Sequence, residues 1–136
     1  MLPSQMNKKY QILKDIFGHD KFRSFQEEVV DTILAKQDVL TILPTGGGKS
    51  LCYQLPTLLM NGTTVVISPL IALMQDQIKA LNDLNISAEM ISSATSNDEN
   101  SFTLQKLLNG ELKFIYVAPE RFTSNEFVSV LQRINI

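Results

Sequence analysis

An α/β fold, with a parallel sheet and flanking helices, is what the sequence predicts, and three observations carry that prediction. Short β-rich apolar runs recur at "VLTIL" (39–43), "TTVVIS" (63–68) and "LKFIYVA" (112–118). Helical periodicities separate them, over 49–60, 70–84 and 98–109. The Gly-rich "PTGGGKS" (44–50) lies where the first run passes into the first of those helices. Each run is apolar at nearly every position, as a strand covered on both faces would be. Strands alternating with helices imply parallel pairing through right-handed crossovers.

Taken in chain order, residues 5–17 place Tyr10, Leu13, Ile16 and Phe17 on one helical face, with Gly18 positioned to end the helix. Residues 25–36 form a second helix with Val29, Val30, Ile33 and Leu34 inward, and "SFQE" (24–27) reads as a capping box of Ser24 and Glu27. In the helix over 49–60, Pro56 removes a backbone donor and crowds the preceding turn, so a break or kink is expected there. The helix over 70–84 carries a stripe of Leu70, Met74, Ile78, Leu81 and Leu84, and "SAEMI" (87–91) is a candidate further short strand. By motif content the chain divides into N-terminal helices (1–37) and a partial nucleotide-binding domain (38–136).

A chain of 136 residues suits one domain with a real core. A net charge of -2 and a pI near 5.3 give no whole-domain field to attract nucleic acid, so any such contact must come from local groups. The single Cys52 excludes an intrachain disulfide, argues against a cysteine-based metal site and suits a reducing compartment. No apolar run approaches the about 18 residues of a membrane span, and the N-terminus lacks the apolar stretch of a signal peptide. A cytoplasmic setting and no membrane partner are expected.

The Gly-rich loop follows an apolar run and opens a helix, the context in which backbone N–H groups and a helix N-terminus receive phosphate. In "TGGGKS", Thr45, Gly46, Gly47 and Gly48 supply N–H groups that approach a phosphate closely because the glycines carry no Cβ. Lys49 would reach the β- and γ-phosphates, and the Ser50 hydroxyl would ligate Mg²⁺. The plainer alternative is a Gly turn with an exposed Lys, which the agreement of run, spacing and Gly-Lys-Ser triplet disfavours. The usual loop starts with Gly where this one has Leu43, and the Leu43-Pro44-Thr45 start is typical of helicases.

"PTGGGKSLCYQLP" (44–56) resembles motif I of the RecQ family of DNA helicases. "FGHDKFRSFQEEVV" (17–30) is similar to that family's motif 0, "VVISPLIALMQDQI" (65–78) to motif Ia and "FIYVAPERF" (114–122) to its next block, in the family's order. The resemblance implies the first RecA-like motor domain of an ATP-dependent, 3′-to-5′ helicase, with ATP and Mg²⁺ as cofactors and single-stranded DNA and duplex junctions as partners. It places adenine recognition on Gln26, stacking on Arg23 and an adenine contact on His19, where some relatives have Tyr. Ser24 and Phe25 stand where relatives often show Pro and a small residue. For DNA, the resemblance points to Ser68, Pro69 and Leu70 at a strand end and helix start, and to Arg121 as a phosphate contact, with Glu120 a structural partner.

Two tempting matches do not hold: "SAT" (93–95) lies in the wrong order to be the helicase coupling motif, and "DE" (98–99) follows a polar, turn-like stretch where the acidic motif needs a buried strand. The relatives continue into Asp-Glu-Ala-His, a coupling motif and an arginine in a second domain, beyond "LQRINI". Little hydrolysis and no unwinding are therefore expected of these 136 residues alone, and an open sheet edge makes self-association a hazard. A bacterial cytosol or nucleoid is the expected location. The competing readings are a non-catalytic nucleotide-binding or protein-interaction remnant, an RNA helicase and a phosphate-loop kinase. The spelling after the loop disfavours the RNA helicase, and Leu43 with motif 0 disfavours the kinase.

Overall fold

A computed structural model describes residues 3–44, 46 and 48–136. Among them are six α-helices, one 3-10 turn and three strands, and the chain forms two compact units that divide between Met60 and Asn61.

The first unit holds α1 (Pro3–Asp15), α2 (Gln26–Leu34) and α3 (Lys49–Leu58). Leu13, Val30, Leu34, Leu51 and Leu55 make its core, with Ile12, Phe17, Phe22, Leu59 and Met60 packed against them. Burying each such side chain contributes about 1.5–3 kcal/mol. Gly18 ends α1 as expected: its φ is 74°, its N–H meets the Lys14 carbonyl at 3.1 Å, and the next N–H, of His19, meets that of Leu13 at 3.0 Å. Tyr10, expected inward, is exposed.

Three local expectations are corrected in this unit. Ser24 does not cap α2: the N-cap residue is Phe25, with φ 71° and no side-chain cap bond. The reason is that the chain turns through a left-handed residue there, and the Gln26 N–H closes on the Arg23 carbonyl at 3.2 Å instead. Pro56 does not break α3, which runs on to Leu58; the cost is confined to the one N–H that proline cannot donate to the Cys52 carbonyl a turn earlier. Residues 39–43 form no strand: the three strand ladders lie elsewhere, and Leu40 and Ile42 are 88% and 87% exposed. An apolar run becomes a strand only where a neighbouring backbone accepts its hydrogen bonds.

The second unit is built on β1 (Thr64–Ile67), β2 (Ala88–Ile91) and β3 (Phe114–Val117), all parallel, in the order β1-β3-β2. All four β3 residues are fully buried, whereas β1 is only half-covered and ends on an exposed Ile67. The expectation of two covered faces therefore holds for the central strand and fails at the edge. The stretch 87–91 does supply a strand, β2.

Three helices flank this sheet in sequence: α4 (Ile71–Asp83), α5 (Asn97–Leu108) and α6 (Asn125–Leu131), the last preceded by a 3-10 turn (Pro119–Thr123). In the α4 stripe Met74 and Leu81 are buried, while Leu70 and Leu84, beyond the helix ends, are exposed. On the other side Leu104, Leu107, Phe127 and Val130 join Ile91, Ile115 and Val117 in one cluster. A capping box does occur, at α5: the Glu99 N–H donates to Ser96 Oγ and the Ser96 N–H to Glu99 Oε2, both at 3.1 Å. No helix among the described residues is long and apolar enough to cross a membrane.

Candidate nucleotide-binding site

Two segments of the first unit meet around the glycine-rich loop. Gly46 and Gly48 take φ values of 81° and 76°, left-handed conformations that a glycine adopts without penalty. Gly48 is the N-cap of α3 and, being glycine, makes no side-chain cap bond of its own before the helix begins at Lys49. Lys49 is exposed and Ser50 half-buried in that first turn.

Onto this loop folds the turn at residues 23–26. Gln26 is only 3% exposed, and both ends of its amide are engaged. Its Oε1 accepts from the Arg23 N–H at 2.8 Å, and its Nε2 donates to the Gly48 carbonyl at 3.0 Å. Arg23 makes a parallel contact, with Nη1 donating to the Gly46 carbonyl at 2.5 Å. A Cβ at residue 48 would stand 2.2 Å from Gln26 Nε2, so the absence of a side chain there is what admits the glutamine.

His19, Lys21, Arg23, Gln26, Gly46, Gly48 and Leu51 line one cavity of about 320 Å³. The structure thus brings together His19, Arg23, Gln26 and two loop glycines, while Lys49 and Ser50 lie at the helix start just beyond. Thr45 and Gly47, also expected in the cradle, lie outside the described residues. A larger hollow, about 650 Å³, opens between the start of α2 and residues 39–44, lined by Phe25, Val29, Val39, Leu40, Ile42 and Leu43 among others. Its lining is largely apolar, and Thr41 Oγ1 beside it is buried with no hydrogen-bond partner among the described residues.

A feature that the sequence reading missed supports the start of α2 from behind. Lys9 of α1, 2% exposed, sits 3.0 Å from Glu27 and 2.5 Å from Asp31. Burial opposes its charge, but the hydrogen bonds to Asp31 and Glu27 outweigh this and raise its pKa above the ordinary lysine value. The Glu27 carboxyl is held below its usual range by the hydrogen bond from the Tyr10 hydroxyl and then by that from Lys9. The signal was present: α2 carries Glu27 and Asp31 one turn apart and no basic residue of its own.

In the second unit the predicted DNA residues gather at the C-terminal ends of the strands. Ile67 and Ile91 are both in register with Val117, so Ser68, Ser92 and Ala118 leave the sheet side by side. This is the edge at which open parallel sheets bind ligands. The Ser68 hydroxyl accepts from the Leu70 N–H at 3.2 Å, and Pro69 and Leu70 are exposed beside it. Arg121, in the 3-10 turn, is half-buried and donates from Nη2 to the Ser92 carbonyl at 3.3 Å, while Glu120 is exposed. The "SAT" stretch is indeed a turn: the Thr95 hydroxyl donates to the Ser92 carbonyl at 2.9 Å, and Asn100 Nδ2 donates to the same oxygen at 3.2 Å.

The parallel sheet and the glycine-rich loop that opens α3 define an α/β fold of the RecA-like, phosphate-loop class. Residues 23–135 match the family described as DEAD/DEAH box helicase, and the chain belongs to that family. It is 46% identical over 132 residues to the ATP-dependent DNA helicase RecQ of Bacillus subtilis (strain 168), covering 96% of this chain and 22% of that protein. It is 43% identical to the RecQ helicase of Haemophilus influenzae, covering 88% of this chain and 19% of that one. To the ATP-dependent DNA helicase Q1 of Rattus norvegicus it is 44% identical, covering 90% and 20%. The chain thus spans about a fifth of the length of these relatives. Among solved structures, that of the DUF1998 helicase MrfA bound to DNA is similar with a TM-score of 0.69 and 24% identity, over 92% of this chain and 18% of that one. The likeness to MrfA is one of fold.

Proposed function

We propose that the chain is the ATP-binding part of a RecQ-type helicase, an enzyme that couples ATP hydrolysis to 3′-to-5′ movement on single-stranded DNA and to unwinding at duplex junctions. The observation that carries this reading is the clasp of Arg23 and Gln26 on the carbonyls of Gly46 and Gly48, which joins a base-reading amide to a phosphate loop.

The residues present fit Mg·ATP. The loop approaches its neighbours so closely that a Cβ at residue 48 would collide with Gln26, and α3 opens on a glycine N-cap that has no side chain to occupy the space before its first turn. Bound Mg·ATP supplies the phosphoanhydride whose cleavage drives movement. Lys49 and the N–H groups of the loop would hold its phosphates, and Ser50 the metal. Gln26 keeps one lone pair and one N–H beyond its two internal bonds, enough to pair with an adenine edge without releasing the loop. Arg23 and His19 would flank the ring. Among the described residues that line this cavity none is a carboxylate, so the chemistry proposed for it is that of holding a nucleotide, and the 136 residues alone are proposed to bind ATP rather than turn it over.

Ser68, Pro69, Leu70 and Arg121 are proposed to track the backbone of a single strand, which an acidic chain does best with local N–H and hydroxyl groups. Self-association through an open sheet edge is proposed, with the exposed Leu40 and Ile42 as a further surface for it, and a bacterial cytosol or nucleoid is the proposed setting.

Titration of the chain with Mg·ATP tests the reading. Lys49→Ala is expected to weaken binding by about tenfold or more, the loss of a charge-assisted contact. Gln26→Ala is expected to weaken ATP more than CTP. Equal affinities of wild type and Lys49→Ala, or no binding by either, would show that the loop is not a working cradle.

A further inference from the structure

We infer that Lys9 is a positioning residue for base selection, setting the Gln26 amide through the first turn of α2; the inference rests on the ATP reading proposed above. The start of α2 has no capping side chain at its N-cap. Its N-cap is a left-handed Phe25 with no side-chain cap bond, so the usual device that pins a helix start is missing. In its place stands one ammonium buried under α2, 3.0 Å from Glu27 and 2.5 Å from Asp31.

Two carboxylates one turn apart, held by a single nitrogen, define both the height of α2 over α1 and its rotation about its own axis. Gln26 immediately precedes Glu27, so that rotation decides where its amide points. The bonds at 2.8 Å to the Arg23 N–H and 3.0 Å to the Gly48 carbonyl leave little room for a turned helix. The Tyr10 hydroxyl, which donates to Glu27, steadies the same carboxylate from the neighbouring position of α1. Lys9 is not among the described residues that line the cavity beside Gln26. It acts only through α2.

The test compares Lys9→Met, an uncharged side chain of similar length, with Lys9→Arg in the 136-residue chain. Amide hydrogen exchange is read at Arg23, whose N–H is held by Gln26, and at Leu55 in the core of the same unit. Lys9→Met is expected to speed exchange at Arg23 about tenfold relative to Leu55, the mark of a local opening, and Lys9→Arg to restore it. The preference for Mg·ATP over Mg·CTP is expected to fall about fivefold in Lys9→Met and to recover in Lys9→Arg. Unchanged protection at Arg23, or equal loss at Arg23 and Leu55, would overturn the inference, the second because Lys9 would then only hold the fold. Should Lys9→Met not fold, Glu27→Gln weakens the same pair and is expected to show the same pattern at reduced size; no change there overturns it equally. If the wild type binds neither nucleotide, the ATP reading falls and the selectivity claim with it, while exchange still decides whether Lys9 sets Gln26.

Discussion

Gln26 donates from its side-chain amide to the carbonyl of Gly48 at 3.0 Å, and a Cβ on residue 48 would lie 2.2 Å from the same nitrogen. The pair therefore ties the start of α2 to the loop that opens α3, and only glycine at 48 permits it.

Gly48→Ala should reveal both requirements. The left-handed φ of 76° penalises any Cβ, by about 1–2 kcal/mol. The nearest atom is the far end of a flexible side chain, so the collision itself is relieved by moving Gln26, at the expense of its hydrogen bond, worth about 0.5–1.5 kcal/mol. Urea denaturation is expected to show a loss of about 1.5–3.5 kcal/mol, with nucleotide affinity reduced alongside. An unchanged midpoint would mean that the loop relaxes freely around the new methyl group.

Phe25→Gly should go the other way. Phe25 holds a φ of 71° while 66% exposed, so it bears a left-handed backbone and gains little from burial. Glycine removes the strain but makes the unfolded chain freer, and the two effects leave a net gain of about 0.5–1 kcal/mol. Phe25→Ala keeps the strained backbone and serves as the control. A lower melting temperature for Phe25→Gly than for Phe25→Ala would contradict this account.

The ion pair of α1 and α2 makes a pH prediction of definite sign. Glu27 is held below its ordinary 4.5 in the folded chain, so its contribution is fully present above that value and is lost as pH falls through the folded pKa. Lys9 is raised above its ordinary 10.5, so its contribution is present below that value and is lost as pH rises through the folded one. Between the two the pair is intact. The stability difference between wild type and Glu27→Gln is expected to be constant across neutral pH and to shrink on acidification below about 4.5, measured by denaturant midpoints. A difference that persists unchanged at strongly acidic pH would show that the carboxylate is not the source.

What the sequence disclosed about the fold and site follows the range of the interactions involved. The parallel α/β plan, β2, β3, α4, α5 and the Gly18 stop were legible because each rests on local periodicity or on one backbone position. The meeting of Arg23, Gln26 and the loop was legible only through resemblance to RecQ motifs, since more than twenty residues separate Gln26 from Gly48. The failures have local causes of their own. Ser24 looked like a cap because nothing in "SFQE" announces that Phe25 turns left-handed. The "SNDE" box at Ser96 was hidden inside a stretch read as turn. The 3-10 turn and α6 went unseen because the first follows Pro119 and the second is only seven residues long. Lys9 escaped because a lysine on a helix is ordinarily solvated, and its burial is decided by two carboxylates on another helix.

Residues 39–43 carry the last prediction. Leu40 and Ile42 alternate with the half-buried Thr41 and Leu43, so two apolar side chains are presented bare to solvent, and the segment joins none of the strand ladders of the described residues. Short, β-prone, uncharged segments of this kind pair readily with copies of themselves. Replacing both residues, Leu40→Lys with Ile42→Lys, puts two charges at those positions and removes the pairing. Because both positions are exposed, the folding stability of a monomer should change by no more than about 0.5 kcal/mol. Sedimentation velocity over a concentration series is expected to show association of the wild type that grows with concentration and a monomeric double variant. Identical sedimentation of the two proteins would rule out this segment as a route of self-association.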